Sequence, residues 1–244
     1  GNKGFQPERD SILLIHGAAG SRLSWLDQLR GLDGEVNVLA PELPGHGDSE
    51  GDPLESARAY AEWLENLAVL MELPRCYVLG HSMGGAIAIE WALSRPNRFK
   101  GLILSGTGAR LPVHPQLLAD LSSRFREAVK TIVESCFAKD APKELLEKSR
   151  SLLERRPPAT MYRDFMVCNE FDAADRVEHI EIPTLIICGA LDAMNPPEYS
   201  RLLHAKIPNS ELTSLEHSGH MPMIEESQVY NRVLLEFARH TSSK

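Results

Sequence analysis

The chain has 244 residues, 43% of them apolar and 25% charged, with a formal net charge of −8. That length suits one large α/β domain, or one domain carrying an inserted piece. The acidic balance and the lack of a basic tail argue against a nucleic-acid partner. No apolar run approaches the roughly 18 residues of a membrane span, so stable membrane insertion is not expected.

In chain order, residues 11–16 (Ser11-Ile12-Leu13-Leu14-Ile15-His16) form a continuous apolar run, the pattern of a strand buried on both faces of a parallel sheet. It runs into Gly17-Ala18-Ala19-Gly20, then Ser21 as the N-cap of a helix reaching Leu29. Residues 36–40 read as a second strand, followed by the Pro/Gly-rich loop Pro41-Glu42-Leu43-Pro44-Gly45-His46-Gly47-Asp48-Ser49. Ala57, Tyr60, Ala61, Leu64, Leu67, Ala68 and Met71 recur at helical spacing and predict an amphipathic helix within residues 54–71. A short strand, residues 76–79, then meets Gly80-His81-Ser82-Met83-Gly84-Gly85, and a helix follows from Ala86. The next strand is residues 101–105. Alternation pauses from Leu111 to Phe171, a charged stretch broken by prolines that predicts three or four helices. Residues 184–188 resume the strands, residues 199–205 read as helix, 211–215 as a last strand and 222–240 as a last helix. Strands alternating with helices predict a parallel sheet covered on both sides. The expected organisation is a core of residues 1–110 and 172–244 with 111–171 inserted.

Strand, G-x-S-x-G, helix is the context in which a serine is held on a sharp turn with its hydroxyl exposed. Glycines on either side relieve the crowding such a turn creates, and the helix N-terminus favours negative charge beside the serine. A dinucleotide-binding turn fits less well, because G-x-G-x-x-G is absent. Ser82 is therefore the candidate nucleophile. A serine hydroxyl needs a histidine base and a carboxylate to orient it. Asp192 follows the strand at 184–188, and His220 lies between the last strand and the last helix. Both fall at the carboxyl ends of strands, where ligands bind in such sheets. His217, three residues earlier in the same loop, competes with His220, and chemistry alone does not separate them. No acid follows the strand ending at Ser105. Acyl transfer also needs two N–H donors for the developing oxyanion. Met83 N–H, next to the nucleophile, is one candidate; Ala18 N–H is the other, with Ala19 second. His81 is set aside as base, since neighbours in a tight turn point apart. His16 and His46 are read as anchors of their loops, because no four-ligand metal spacing is present. Met83, Met161, Met166, Met194 and Met221 are candidates for an apolar acyl pocket or for core packing. The charge run from Arg150 to Arg156 reads as a solvated helix end.

The chain resembles the α/β-hydrolase superfamily over essentially its whole length. The resemblance is carried by Leu14-Ile15-His16-Gly17, Leu43-Pro44-Gly45-His46-Gly47-Asp48-Ser49, Gly80-His81-Ser82-Met83-Gly84-Gly85, Pro183-Thr184-Leu185-Ile186-Ile187-Cys188-Gly189 with Asp192, and Gly219-His220-Met221-Pro222. It implies a Ser82–His220–Asp192 triad, with the Gly-His-x-Pro segment deciding for His220 over His217, and a helical cap at 111–171. Family members often have two further strands before the His-Gly strand; here about ten residues precede it, so the expectation is a sheet of six strands, or six with one irregular strand ahead.

The function expected is a carboxylesterase-like serine hydrolase acting on small-molecule esters, or thioesters, of small to medium acyl groups, with no cofactor or metal required. The same triad in relatives cleaves carbon–carbon bonds, opens enol-lactones or eliminates pyruvate in menaquinone synthesis; those enzymes hold polyacids with arginines, and Arg110, Arg124, Arg126 and Arg163 are available near the insert. A non-enzymatic receptor is a third reading, disfavoured because all three triad members are present. Cys76, Cys136, Cys168 and Cys188 show no paired spacing, so free thiols and a cytoplasmic location are expected. No signal-like segment is read at the N-terminus.

Overall fold

The computed structural model describes residues 4–242. Strand β1 (Ser11–Ile15) is buried throughout, as its unbroken apolar run requires. Ser21 accepts from Leu23 N–H and caps a short 3₁₀ turn, Arg22–Trp25, which leads into α1 (Leu26–Gly31). After β2 (Asn37–Leu39) and the Pro/Gly loop, Ser56 caps α2 (Ala57–Leu70) by accepting from Ala59 N–H. β3 (Cys76–His81) passes through Ser82 directly into α3 (Met83–Ser94). β4 (Phe99–Ser105) starts two residues before the expected point.

Four helices follow before the sheet resumes: α4 (Pro115–Ser123), α5 (Phe125–Cys136), α6 (Lys143–Leu153) and α7 (Pro158–Glu170). Arg110 and Asp172 pair as an antiparallel bridge and as a 2.8 Å ion pair, closing the stem of this insertion. The chain then runs through β5 (Thr184–Gly189), α8 (Pro197–Lys206) and β6 (Ser210–Leu215).

The last helix departs from expectation. It is split into α9 (Pro222–Glu225) and α10 (Ser227–Ser242). The break lets two adjacent carboxylates turn back on the preceding loop. Glu225 accepts from Gly219, Met221 and Ala138 N–H, and Glu226 accepts from His217 N–H and the Ser218 hydroxyl. Loop donors that would otherwise lack partners are thereby satisfied.

The six strands form one sheet in the order β2-β1-β3-β4-β5-β6, every neighbouring pair parallel. No strand precedes Ser11 among the described residues. Alternate residues face opposite ways. Leu13, Ile15, Val78, Leu102, Leu104 and Ile186 pack against α2, α3 and α8. Ile12, Leu14, Tyr77, Leu79, Ile103 and Leu185 pack with Trp25 and α10. A third apolar cluster joins α4, α5 and α7 and reaches Ala19 in the loop after β1. The order reverses between β1 and β3, so the crevice beyond their carboxyl ends is where a ligand is expected. Residues 17–20 and Ser82 both lie there.

Candidate active site

Ser82 joins a strand to a helix with no intervening loop. Its φ of 54° and ψ of −118° put a non-glycine residue in the left-handed half of backbone space, a strained conformation that its surroundings must impose. They do: Ser82 N–H donates to Ser105 O, Gly85 N–H donates to Ser82 O, and the Thr107 hydroxyl also donates to Ser82 O. The glycines allow the close approach. A Cβ on Gly80 would lie 2.1 Å from Gly84 O, and one on Gly84 would lie 2.3 Å from Ile15 O.

Asp192 Oδ2 and His220 Nδ1 are 2.8 Å apart and almost fully buried. The other Asp192 oxygen accepts from Met194 and Asn195 N–H, while the Asn195 amide donates to Gly106 O. With one oxygen saturated by backbone donors, the second is aimed at the imidazole. His220 N–H donates to Cys136 O, so the end of α5 holds the loop of this histidine. Ser82 and His220 line one cavity, of 570 Å³. Among the described residues no hydrogen bond to Ser82 Oγ is formed; such bonds often close only when substrate is bound.

His81, the residue before Ser82, is committed elsewhere. Its Nε2–H donates to His220 O at 2.8 Å, and its ring lies 4.7 Å from the His220 ring. Burial lowers its pKa to about 3, with the neighbouring His220 adding to the effect. His217 is exposed. His16 donates from Nδ1 to Gly17 O and accepts Leu43 N–H at Nε2, so it ties the loop after β1 to the Pro/Gly loop; burial again lowers its pKa to about 3.

His16 and His81 are thus neutral in the fold and protonate freely once unfolded. Their depressed pKa values mean the unfolded chain binds more protons between about pH 6.5 and pH 3. Stability is therefore expected to fall as pH drops through that window, with as many as two protons taken up on unfolding from these sites. Urea titrations at graded pH measure the slope, and a slope near zero below pH 6 would contradict the assignment.

Residues 17–20 also line the cavity. Ala18 N–H and Met83 N–H have no acceptor among the described residues, whereas Ala19 N–H is taken up. Its partner is Asp164 Oδ2 at 2.7 Å, reaching down from α7. The same oxygen accepts from His46 Nε2 at 2.8 Å, and His46 Nδ1 donates to Pro44 O. Both ring nitrogens of His46 are donors, as in an imidazolium. Burial alone would lower the pKa of His46, but the Asp164 bond and charge outweigh it and hold the pKa above 6.5. Asp164 is fully buried and was not legible as a site residue. Its neighbours Arg163-Asp164-Phe165 look like any amphipathic helix turn, and no local pattern announces a partner 145 residues away.

Met194 and Met221 line the cavity, while Met83, Met161 and Met166 do not. Arg110, Arg124 and Arg163 are exposed and paired with Asp172, Asp120 and Glu55, and Arg126 is exposed; none lines the cavity. The charge run ending at Arg156 corrects the sequence reading: Arg156 lines the cavity, and its Nε is buried. Cys76, Cys136, Cys168 and Cys188 are free thiols. Among the described residues no His/Cys/Asp/Glu group could hold a metal ion, and no helix is long and apolar enough to cross a membrane.

A parallel sheet with an acute strand–serine–helix turn at its reversal point defines an α/β hydrolase, and the chain belongs to that family: residues 12–233 match the model of the alpha/beta hydrolase family. It is a hydrolase with esterases among its relatives. It is 27% identical, over 95% of its length and 88% of the relative's, to the 2-hydroxy-6-oxononadienedioate/2-hydroxy-6-oxononatrienedioate hydrolase 2 of Pseudomonas putida. It is 24% identical to the pimeloyl-[acyl-carrier protein] methyl ester esterase of Neisseria meningitidis, over 93% of this chain and 92% of that one. Among solved structures, a thermophilic esterase superimposes with a TM-score of 0.85 at 31% identity, covering 96% of this chain and 91% of the other.

Proposed function

We propose that this hydrolase cleaves carboxylic esters, and thioesters, of small to medium acyl groups by way of an acyl-enzyme. The observation that carries the reading is the buried 2.8 Å Asp192–His220 hydrogen bond at the wall of the cavity that holds Ser82. Ser82 Oγ attacks the acyl carbon while His220 Nε2 takes its proton. The carbonyl oxygen becomes an oxyanion facing Ala18 N–H and Met83 N–H, two donors with no protein acceptor among the described residues. The intermediate collapses, and His220 returns the proton to the departing alcohol or thiol. Water then repeats the sequence on the acyl-enzyme. Asp192 keeps the proton of neutral His220 on Nδ1 and stabilises the imidazolium. No step calls for a cofactor or metal. The four inserted helices act as a cap that shapes the substrate cavity.

A second reading keeps these residues and changes the bond broken. The Pseudomonas putida relative supports it, since its name places a carbon skeleton with two carboxylates in a related site. Hydrolysis of aryl esters of graded acyl length, with fluorophosphonate labelling, separates the two. The ester reading expects turnover and a covalent adduct on Ser82, both absent in Ser82→Ala. An adduct on Ser82 with no turnover of any ester would favour carbon–carbon or lactone hydrolysis. Turnover surviving Ser82→Ala would overturn both.

A further inference from the structure

The cavity is lined by apolar and neutral side chains, its histidines aside, except at Asp120 and Arg156. Asp120 is already satisfied: it accepts from the Gln116 amide and from the Arg124 guanidinium. Arg156 is not. No carboxylate lies within ion-pair distance of it among the described residues, and its buried Nε has no hydrogen-bond partner. Its backbone N–H donates to Leu153 O, which anchors the residue just past α6. A guanidinium stays charged at any working pH and carries five donors. A buried donor of a charged group left without a partner is costly unless something else supplies the acceptor.

The buried carboxylate of Asp164 does not supply it, and the Oδ1 of that carboxylate is itself without a hydrogen-bond partner among the described residues. Asp164 is committed through one oxygen to His46 and Ala19, and the His46 cation balances its charge. The Arg156 charge opposes protonation of both His16 and His46. Arg156 lines the same cavity as residues 17–20, with its Nε buried. A cation without a protein counter-ion among the described residues thus lines the cavity that also holds Ser82.

We propose that Arg156 is the anion-binding residue of this cavity, and that the enzyme's preferred substrates are esters carrying a second, free carboxylate. The inference rests on the ester reading given above and names its substrate class. Arg suits the role because its planar fork takes both carboxylate oxygens at once. The apolar walls then accommodate the carbon chain that separates the two ends of the substrate.

The test compares anionic esters with neutral isosteres. One arm uses para-nitrophenyl hemiesters of dicarboxylic acids of graded length against the same acyl chains ending in a primary amide. The other places the charge on the alcohol side, with para-acetoxybenzoate against para-acetoxybenzamide. The wild type is expected to favour the carboxylate by about tenfold or more in kcat/KM in one arm at one chain length. Arg156→Leu should bring that ratio to about one, and Arg156→Lys should keep part of it. Because each ratio is taken within one variant, a lower fraction of folded enzyme cancels. Esters turned over without preference for the anion, or a preference that survives Arg156→Leu, would overturn the proposal. Binding of the same esters to Ser82→Ala keeps the two readings apart. Tighter binding of anions there, with no turnover by the wild type, would sink the ester reading and uphold the Arg156 site. Equal binding of anions and amides would sink the site whatever the chemistry.

Discussion

Ser82→Ala is expected to lower kcat for a good ester substrate by about 10⁶-fold, and Asp192→Asn by about 10⁴-fold, with the double variant no worse than Ser82→Ala alone. The Asp192 value follows from how its two oxygens are used. Met194 and Asn195 N–H both point at Oδ1. An asparagine must place its carbonyl there, because its amide would confront two donors. Its NH₂ group then faces His220 Nδ1, where Oδ2 now sits at 2.8 Å. Nδ1 becomes an acceptor, the ring proton moves to Nε2, and the nitrogen facing the cavity has no lone pair to take a proton from Ser82. Geometry is kept while the tautomer is wrong. The non-additivity follows because a correct base has nothing to act on once the hydroxyl is gone. Pre-steady-state and steady-state kinetics on an aryl ester read all three variants. An Asp192→Asn enzyme within tenfold of wild type would mean that His220 is not the base.

The parts of this architecture that were legible from the residues are those set by local pattern. The strands at the centre of the sheet are unbroken apolar runs, and burial on both faces leaves them no other reading. The turn around Ser82 is a steric device whose glycines are in the sequence. The position of Asp192 and His220 just beyond strands places them at the rim that a parallel sheet offers to ligands. What was not legible depends on long-range pairing. The split of the last helix comes from Glu225 and Glu226 serving donors in the loop before it, and nothing in Pro222-Met223-Ile224-Glu225-Glu226 breaks a helical pattern. Arg156 ends a run of charges that is otherwise exposed, and only the packing of the insert turns its guanidinium inward. Arg124 and Arg163, more conspicuous beforehand, are paired at the surface with Asp120 and Glu55. Asp164 is hidden for the same reason: a carboxylate in an amphipathic helix is ordinarily solvated, and its burial here is decided by His46 and Ala19.

Asp164→Ala is expected to destabilise the protein by about 3–5 kcal/mol, the scale for removing one partner of a buried ion pair. The variant strands His46, which has donors on both nitrogens and only Pro44 O left to accept. It also leaves Ala19 N–H unpaired, in a residue whose φ of 55° already needs support. The loss should depend on pH. The pKa of His46 is raised in the fold, so the stability that the pair contributes is fully present below about pH 6.5 and declines as pH rises through the folded-state value. Above that point neutral His46 keeps its one proton on Nε2 toward the carboxylate, the charge-pair part of the contribution is lost, and the hydrogen bonds from His46 and Ala19 remain. Guanidinium unfolding of wild type and variant at pH 6 and pH 9 tests this, with the larger gap expected at pH 6. A gap below about 1 kcal/mol at both values would remove Asp164 from the architecture of the site. The same variant links folding to chemistry. With Ala19 released, residues 17–20 no longer hold Ala18 N–H against the developing oxyanion, and loss of one such donor lowers kcat by about 10²–10³-fold. KM should change little, since the donor meets its charge only in the transition state. Asp164→Asn still offers an oxygen to Ala19 N–H but no charge to His46. It should recover much of kcat while remaining less stable than wild type at pH 6, which separates the loop-holding role of the carboxylate from its role as a counter-ion.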